Sequence, residues 1–177
     1  MKIYKTKFKD LFIVKQKNNI DQRGCLREIF NKKFIKKNFV FEYCTTSKKN
    51  VLRGFHFQTK FKQAKYVNVL KGKILDVVID LRKKSKTFGK TFKIILSKKN
   101  ATGLFIPRGF AHAYYSYENE NIIYYKLDNF YKPKYENGII YNDKKINVKW
   151  PKRKIILSNK DRKLKTFEVF CKTFSSL

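Results

Sequence analysis

Lys65-Tyr66-Val67-Asn68-Val69-Leu70-Lys71-Gly72-Lys73-Ile74-Leu75-Asp76-Val77-Val78-Ile79-Asp80-Leu81 decides the fold class. Two runs rich in β-branched and aliphatic residues flank a Lys-Gly pair, the pattern of two strands joined by a tight turn. Working outward, similar runs recur in both directions. Phe8–Lys15, Phe39–Ser47 and Val51–Gln58 precede the hairpin, and Thr91–Ser97, Gly103–Ile106, Ala111–Tyr117 and Asn121–Asp128 follow it. Helical periodicity is confined to one or two turns within Asn31–Lys37 and a stretch after Lys160. Many short strands at close spacing predict an all-β sandwich or barrel, with a jelly roll the favoured topology.

The chain has 177 residues, 17 Phe and 11 Tyr against 7 Gly and 3 Pro, which excludes a disordered or linker-like protein. No repeat, low-complexity linker or composition break divides it, so a single domain over residues 1–177 is expected. The apolar runs are far shorter than the ~20 residues a membrane helix needs, and the N-terminus has no apolar signal core. A cytoplasmic protein without membrane association is the expectation. Cys25, Cys44 and Cys171 form neither a C-x-x-C pair nor a disulfide framework, which suits a reducing compartment.

Lys and Arg number 43 against 13 Asp and Glu, giving a formal charge of +30. Only seven of the 43 are Arg, and the lysines run along the whole chain, often in pairs such as Lys32-Lys33 and Lys144-Lys145. Nucleic-acid readers favour the bidentate Arg fork and concentrate their basic residues. The pattern here is a solvated lysine coat with a general attraction to anions, and no nucleic-acid partner is expected.

Two histidines exist, and each sits in an apolar strand-like run. In Val51-Leu52-Arg53-Gly54-Phe55-His56-Phe57-Gln58, strand parity puts His56 and Gln58 on one face. In Ile106-Pro107-Arg108-Gly109-Phe110-Ala111-His112-Ala113, Arg-Gly-Phe again leads to a histidine. Polar groups on a strand face meant for the core are costly unless they converge on a cavity. A metal site would need about three ligands, usually with an H-x-H pair; there is none, so no metal is expected.

Taken together, VLRGFHFQ, QAKYVNVLKGKILDVVIDLRKKSKTFGK, LFIPRGFAHA, YYKLDNFYKP and LSNKD, in that order, resemble the dTDP-4-dehydrorhamnose 3,5-epimerase family. The resemblance runs from Asp21-Gln22-Arg23-Gly24 to Asp161. It implies a cupin-type jelly roll, a homodimer, and inversion at C3, C5 or both of a nucleotide-linked 4-keto-6-deoxy hexose or heptose for a bacterial surface polysaccharide. By the same resemblance His56 is the general base, Asp161 its carboxylate partner, Lys65 the cation beside the C4 oxygen, and Tyr125 the acid on the opposite ring face. Tyr124 is the neighbouring candidate, and the Tyr-Lys dipeptide favours Tyr125. Arg23, Glu28, Arg53, Gln58 and His112 are the implied substrate contacts. No redox cofactor is implied, and the chain offers no Gly-rich dinucleotide loop. A sugar-nucleotide 3,4-ketoisomerase and a non-catalytic cupin that binds a sugar nucleotide are the competing readings.

The chain departs from the family pattern at Phe41-Glu42-Tyr43-Cys44-Thr45, where the family carries Gln-Asp-Asn-His-Ser, at Phe130, where it has Tyr, and at Ala113, where it has Gly. Aromatic side chains in place of amides on the nucleotide side lead to the expectation that, of GDP and dTDP sugars, dTDP is not preferred and a purine or other nucleotide is, with GDP the first candidate.

Overall fold

A computed structural model describes residues 1–151, 153–174 and 177. The strands are β1 (Lys2–Lys5), β2 (Phe12–Lys15), β3 (Asn18–Asp21), β4 (Gly24–Arg27), β5 (Phe41–Ser47), β6 (Leu52–Gln58) and β7 (Lys65–Lys71). They continue with β8 (Lys73–Asp80), β9 (Thr91–Ser97), β10 (Thr102–Ile106), β11 (Phe110–Ser116), β12 (Asn121–Leu127) and β13 (Glu136–Gly138). Two short helices, α1 (Asn159–Arg162) and α2 (Phe167–Thr173), follow. A six-stranded sheet in the order β1-β2-β10-β7-β12-β5 faces a five-stranded sheet in the order β13-β6-β11-β8-β9. The expected β-sandwich is therefore observed, and the Lys65–Leu81 hairpin splits at Gly72, with β7 joining one sheet and β8 the other.

Alternation along the strands builds the layers. Val67 and Val69 of β7, Ile74 and Val78 of β8, Phe110 and Tyr114 of β11, and Ile123, Tyr125 and Leu127 of β12 meet between the sheets. The opposite face of the five-stranded sheet contributes Phe55, Phe57, Val77, Ile79, Ala111 and Ala113 to a second core, covered by Phe170 of α2 and by Trp150. This second layer buries the other half of strands that would otherwise alternate with polar residues, which explains the nearly continuous apolar reading of β8 and β11.

Several boundaries differ from the sequence expectation. Phe8–Lys15 is a strand only over Phe12–Lys15, because Thr6, Phe8 and Leu11 bond among themselves in a turn with Asp10 at φ 64°. Asn31–Lys37 makes a single turn closed by Asn31 and no helix. The polar segments β1, β3, β4 and β13 went unread because their side chains are exposed or half-exposed and carry no alternation. Cys25 and Cys44 are exposed and Cys171 is half-buried, all as free thiols. Among the described residues no helix is long and apolar enough to cross a membrane.

Candidate active site

A cavity of about 710 Å³ opens between the sheets beside the first core, and Tyr114 and Tyr125 belong to both. Strands β6 and β11 supply its histidines. His56 and His112 are cross-strand partners, and both point between the sheets. Arg53 lines the same cavity although its parity is opposite to that of His56. A bulge resolves this: β6 spends three residues from Arg53 to His56 where β11 spends two from His112 to Tyr114. Gly54 makes the bulge possible. Its φ is 111°, and an added Cβ would strike the His112 carbonyl oxygen and lie 2.7 Å from the Ala113 Cα. Arg53 then donates to Ser47 Oγ at 3.1 Å and to the Thr46 carbonyl at 3.2 Å.

The carboxylates come from elsewhere in the chain. Ser158 caps α1 by accepting from the Asp161 amide, which turns the buried Asp161 side chain inward. Asp161 Oδ1 lies 2.6 Å from His56 Nε2, and its Oδ2 accepts from the Gly54 amide at 3.4 Å. Burial pushes the Asp161 carboxyl up, but the hydrogen bond and charge of His56 together hold it below the usual carboxylate range. An ionised Asp161 only accepts, so Nε2 carries the ring proton and Nδ1 presents the lone pair. The Nδ1 atom is 3.7 Å from Glu136 Oε1. Glu136 is itself held by Lys160 and by the Tyr131 hydroxyl at 2.5 Å. His112 forms a second pair, its Nε2 lying 2.8 Å from Oδ2 of the fully buried Asp76.

The facing sheet carries Lys65 and Tyr125. Lys65 pairs with Leu127 and Tyr125 with Val67, so both side chains share the inward face. Burial pushes the Lys65 ammonium down to about 8, against the pull of Glu136 and Asp76. Burial, reinforced by the neighbouring Tyr114 and Tyr43, lifts the Tyr125 phenol well above its ordinary value, so it is protonated at neutral pH. Tyr124 points away from the cavity and donates to Glu42 on the outer face, which separates it from Tyr125.

Of the residues named from sequence, His56, Asp161, Lys65, Tyr125, Arg53 and His112 converge on the cavity. Gln58 does not. Its amide donates to the Phe61 and Phe130 carbonyls and accepts from the Lys132 amide at 2.6 Å, which ties two loops together. Arg23 and Glu28 also lie off this cavity. Arg23 sits at the tip of the β3–β4 hairpin, 85% exposed and paired with Asp21, and Glu28 accepts from Asn31. Sequence reasoning missed Asp76, set between Ile74-Leu75 and Val77-Val78-Ile79 of β8, and Glu136, in a three-residue strand flanked by turn-like sequence. A cavity-facing carboxylate inside an apolar strand was the available signal for Asp76.

Among the described residues no cluster of three or more His, Cys, Asp and Glu is arranged to hold a metal.

The dTDP-4-dehydrorhamnose 3,5-epimerase family profile matches residues 5–169. The dTDP-4-dehydrorhamnose 3,5-epimerase of Shigella flexneri is 40% identical over 168 residues, covering 91% of this chain and 93% of its own. That of Methanothermobacter thermautotrophicus is 38% identical, with 91% of each chain covered. The crystal structure of a dTDP-6-deoxy-D-glucose-3,5-epimerase from Legionella pneumophila, in complex with dTDP-4-keto-L-rhamnose, superposes with a TM-score of 0.91 at 35% identity over 95% of this chain and 93% of that one. Paired with a His–carboxylate couple and a buried tyrosine facing each other across one cavity, these likenesses have one reading: the chain is an isomerase of the dTDP-4-dehydrorhamnose 3,5-epimerase family.

Proposed function

We propose that the protein inverts C3 and C5 of a dTDP-linked 4-keto-6-deoxy hexose, with His56 as base, Tyr125 as acid and Lys65 over the C4 oxygen, and so supplies a precursor for a surface polysaccharide. The observation that carries the reading is the division of labour between the sheets. His56, backed by Asp161, projects from the five-stranded sheet, while Lys65 and Tyr125 project from the six-stranded one. Inversion needs this arrangement, because the proton must leave one face of the ring and return to the other.

His56 Nδ1 takes the proton from the carbon next to the ketone. The C–H electron pair becomes the enolate double bond, and the carbonyl pair moves onto the C4 oxygen, where the Lys65 ammonium balances it. Asp161 stabilises the imidazolium without taking its proton. The Tyr125 hydroxyl then gives its proton to the opposite face, the enolate pair forms the new C–H bond, and the ketone returns. Solvent resets His56 and Tyr125, so nothing is oxidised or reduced. Arg53 suits a diphosphate oxygen by its fork geometry.

The relatives supply the nucleotide. The Legionella structure holds a dTDP sugar, and a 35% identical Bacillus anthracis structure holds TDP. The expectation of GDP rested on Phe41 and Tyr43 standing in place of amides; both line the cavity, with Tyr43 packed on Tyr125 at a centroid distance of 4.8 Å. On the ligands of these relatives we assign dTDP. The projecting β3–β4 hairpin, with Ile20 76% and Leu26 70% exposed, supports a homodimer in which Arg23 and Glu28 serve the neighbour's cavity.

Incubation with the dTDP-4-keto-6-deoxy hexose in deuterium oxide tests the reading. Deuterium is expected at C3 and C5 of an inverted product, and Tyr125→Phe should lower inverted product by ~10²–10⁴-fold while exchange continues. Binding without exchange would overturn it in favour of a mere sugar-nucleotide binder.

A further inference from the structure

Tyr125 is buried, and its ring is packed against its neighbours in the cavity wall. Two rings do the holding. Tyr43, its cross-strand partner on β5, lies against it nearly face to face, with centroids 4.8 Å apart and planes at 23°. The His112 ring meets it edge-on at 6.1 Å and 66°. His112 is fixed in turn by Asp76. Tyr43 has a further support in Phe41, 5.5 Å away, two residues along the same strand face. Because β5 is the last strand of its sheet, this aromatic pair closes the cavity wall at the sheet edge.

A terminal sp³–sp² torsion such as χ2 of tyrosine has a broad energy well, so the ring of an acid needs external walls to keep its hydroxyl on one line. We propose that Tyr43 is a positioning residue for Tyr125: its ring face holds the Tyr125 ring so that the hydroxyl meets the enolate carbon from the face opposite His56. This deepens the epimerase reading and rests on it. The Tyr43 hydroxyl has no part in the proposal. Burial lifts that phenol to about 12, which leaves it an uncharged ring at working pH. The contact acts only on proton return. Proton removal by His56 and enolate stabilisation by Lys65 belong to groups that Tyr43 does not hold.

The separation of the two half-reactions makes the test specific. With the dTDP-4-keto-6-deoxy hexose in deuterium oxide, two quantities are followed by NMR: deuterium washed into recovered substrate and inverted product formed. Tyr43→Ala and Tyr43→Leu should raise the ratio of exchange to inversion by about tenfold or more, since a misplacement of about 1 Å costs a catalytic group as much as 10²-fold. Tyr43→Phe should keep the wild-type ratio, because it keeps the face. Leucine fills the volume without an aromatic face, so a folding failure of the alanine variant leaves the question answerable. An unchanged ratio in folded Tyr43→Leu overturns the proposal, as does a Tyr43→Phe variant that behaves like Tyr43→Leu. Absence of exchange and inversion in the wild-type protein would instead overturn the epimerase reading.

Discussion

His56 and His112 stand opposite each other on β6 and β11, and each gives its Nε2 to a different buried carboxylate, Asp161 at 2.6 Å and Asp76 at 2.8 Å. The two pairs are not equivalent. The His56 side chain keeps 26% of its surface open to the cavity against 5% for His112, so only His56 has room to exchange protons with a ligand.

Asp161→Asn should therefore leave the fold intact and lower kcat by about 10³-fold or more, because an amide can hold the wrong tautomer of His56. His56→Ala should abolish deuterium incorporation altogether. Circular dichroism would establish folding and the exchange assay the loss. Folded His56→Ala with wild-type exchange would refute the assignment of the base.

Lys65 gives a pH signature. Its ammonium titrates near 8, and only the charged form balances an enolate oxygen, so kcat/KM should fall as pH rises through about 8. Lys65→Met should lower turnover by roughly 10²–10³-fold and erase that limb. Stability runs the other way. The folded value lies below the unfolded 10.5, so the unfolded chain binds more protons between about 8 and 10.5, and this group's contribution to stability rises with pH across that window. Activity profiles and denaturant melts at matched pH check both signs.

Gly54→Ala should cost about 1–3 kcal/mol from its backbone conformation alone, with more from the collision with the His112 carbonyl and Ala113. Urea titration would measure the loss. A variant as stable as wild type would mean that the bulge can relax, and Arg53 would then be free to leave the cavity.

Arg23 tests the assembly. Light scattering should give twice the 21.3 kDa chain mass, and Arg23→Ala should raise KM although the residue lies off its own chain's cavity. A monomer with full activity would show that the β3–β4 hairpin serves no neighbouring site.

Much of the sandwich could be read from period-two runs and the Gly72 turn, because strands buried on one or both faces carry their layer in their alternation. Parity put His56 and Gln58 on one face, and the family motifs picked out His56, Lys65 and Tyr125. Parity alone fails at Arg53, whose direction depends on a bulge set by one glycine. It misleads at Gln58, which shares the face of His56 but lies where the loops after β6 and β12 need an amide to join them. Asp76 and Glu136 went unassigned for opposite reasons: Asp76 is a carboxylate inside an apolar run, a signal that was there to be weighed, and Glu136 lies inside a polar turn with none. The β3–β4 hairpin has a local turn in Asp21, which accepts from the Arg23 amide, and Gly24 at φ 131°, but no apolar face packed in its own chain, since Ile20 and Leu26 are exposed.

In the proposed reaction His56 and Tyr125 work from different sheets, so the distance between them follows from the thickness of the apolar layer that keeps those sheets apart. Val67, Val78, Leu104 and Phe110 touch no reacting atom, yet together they act as the spacer that sets how thick a sugar ring can be gripped from both sides. Trimming that spacer by a methylene would retune the gap for every proton transfer at once. On the proposed mechanism the hydrophobic interior would be part of the catalytic apparatus, and substitutions deep in it would bear on which sugar fits as well as on folding.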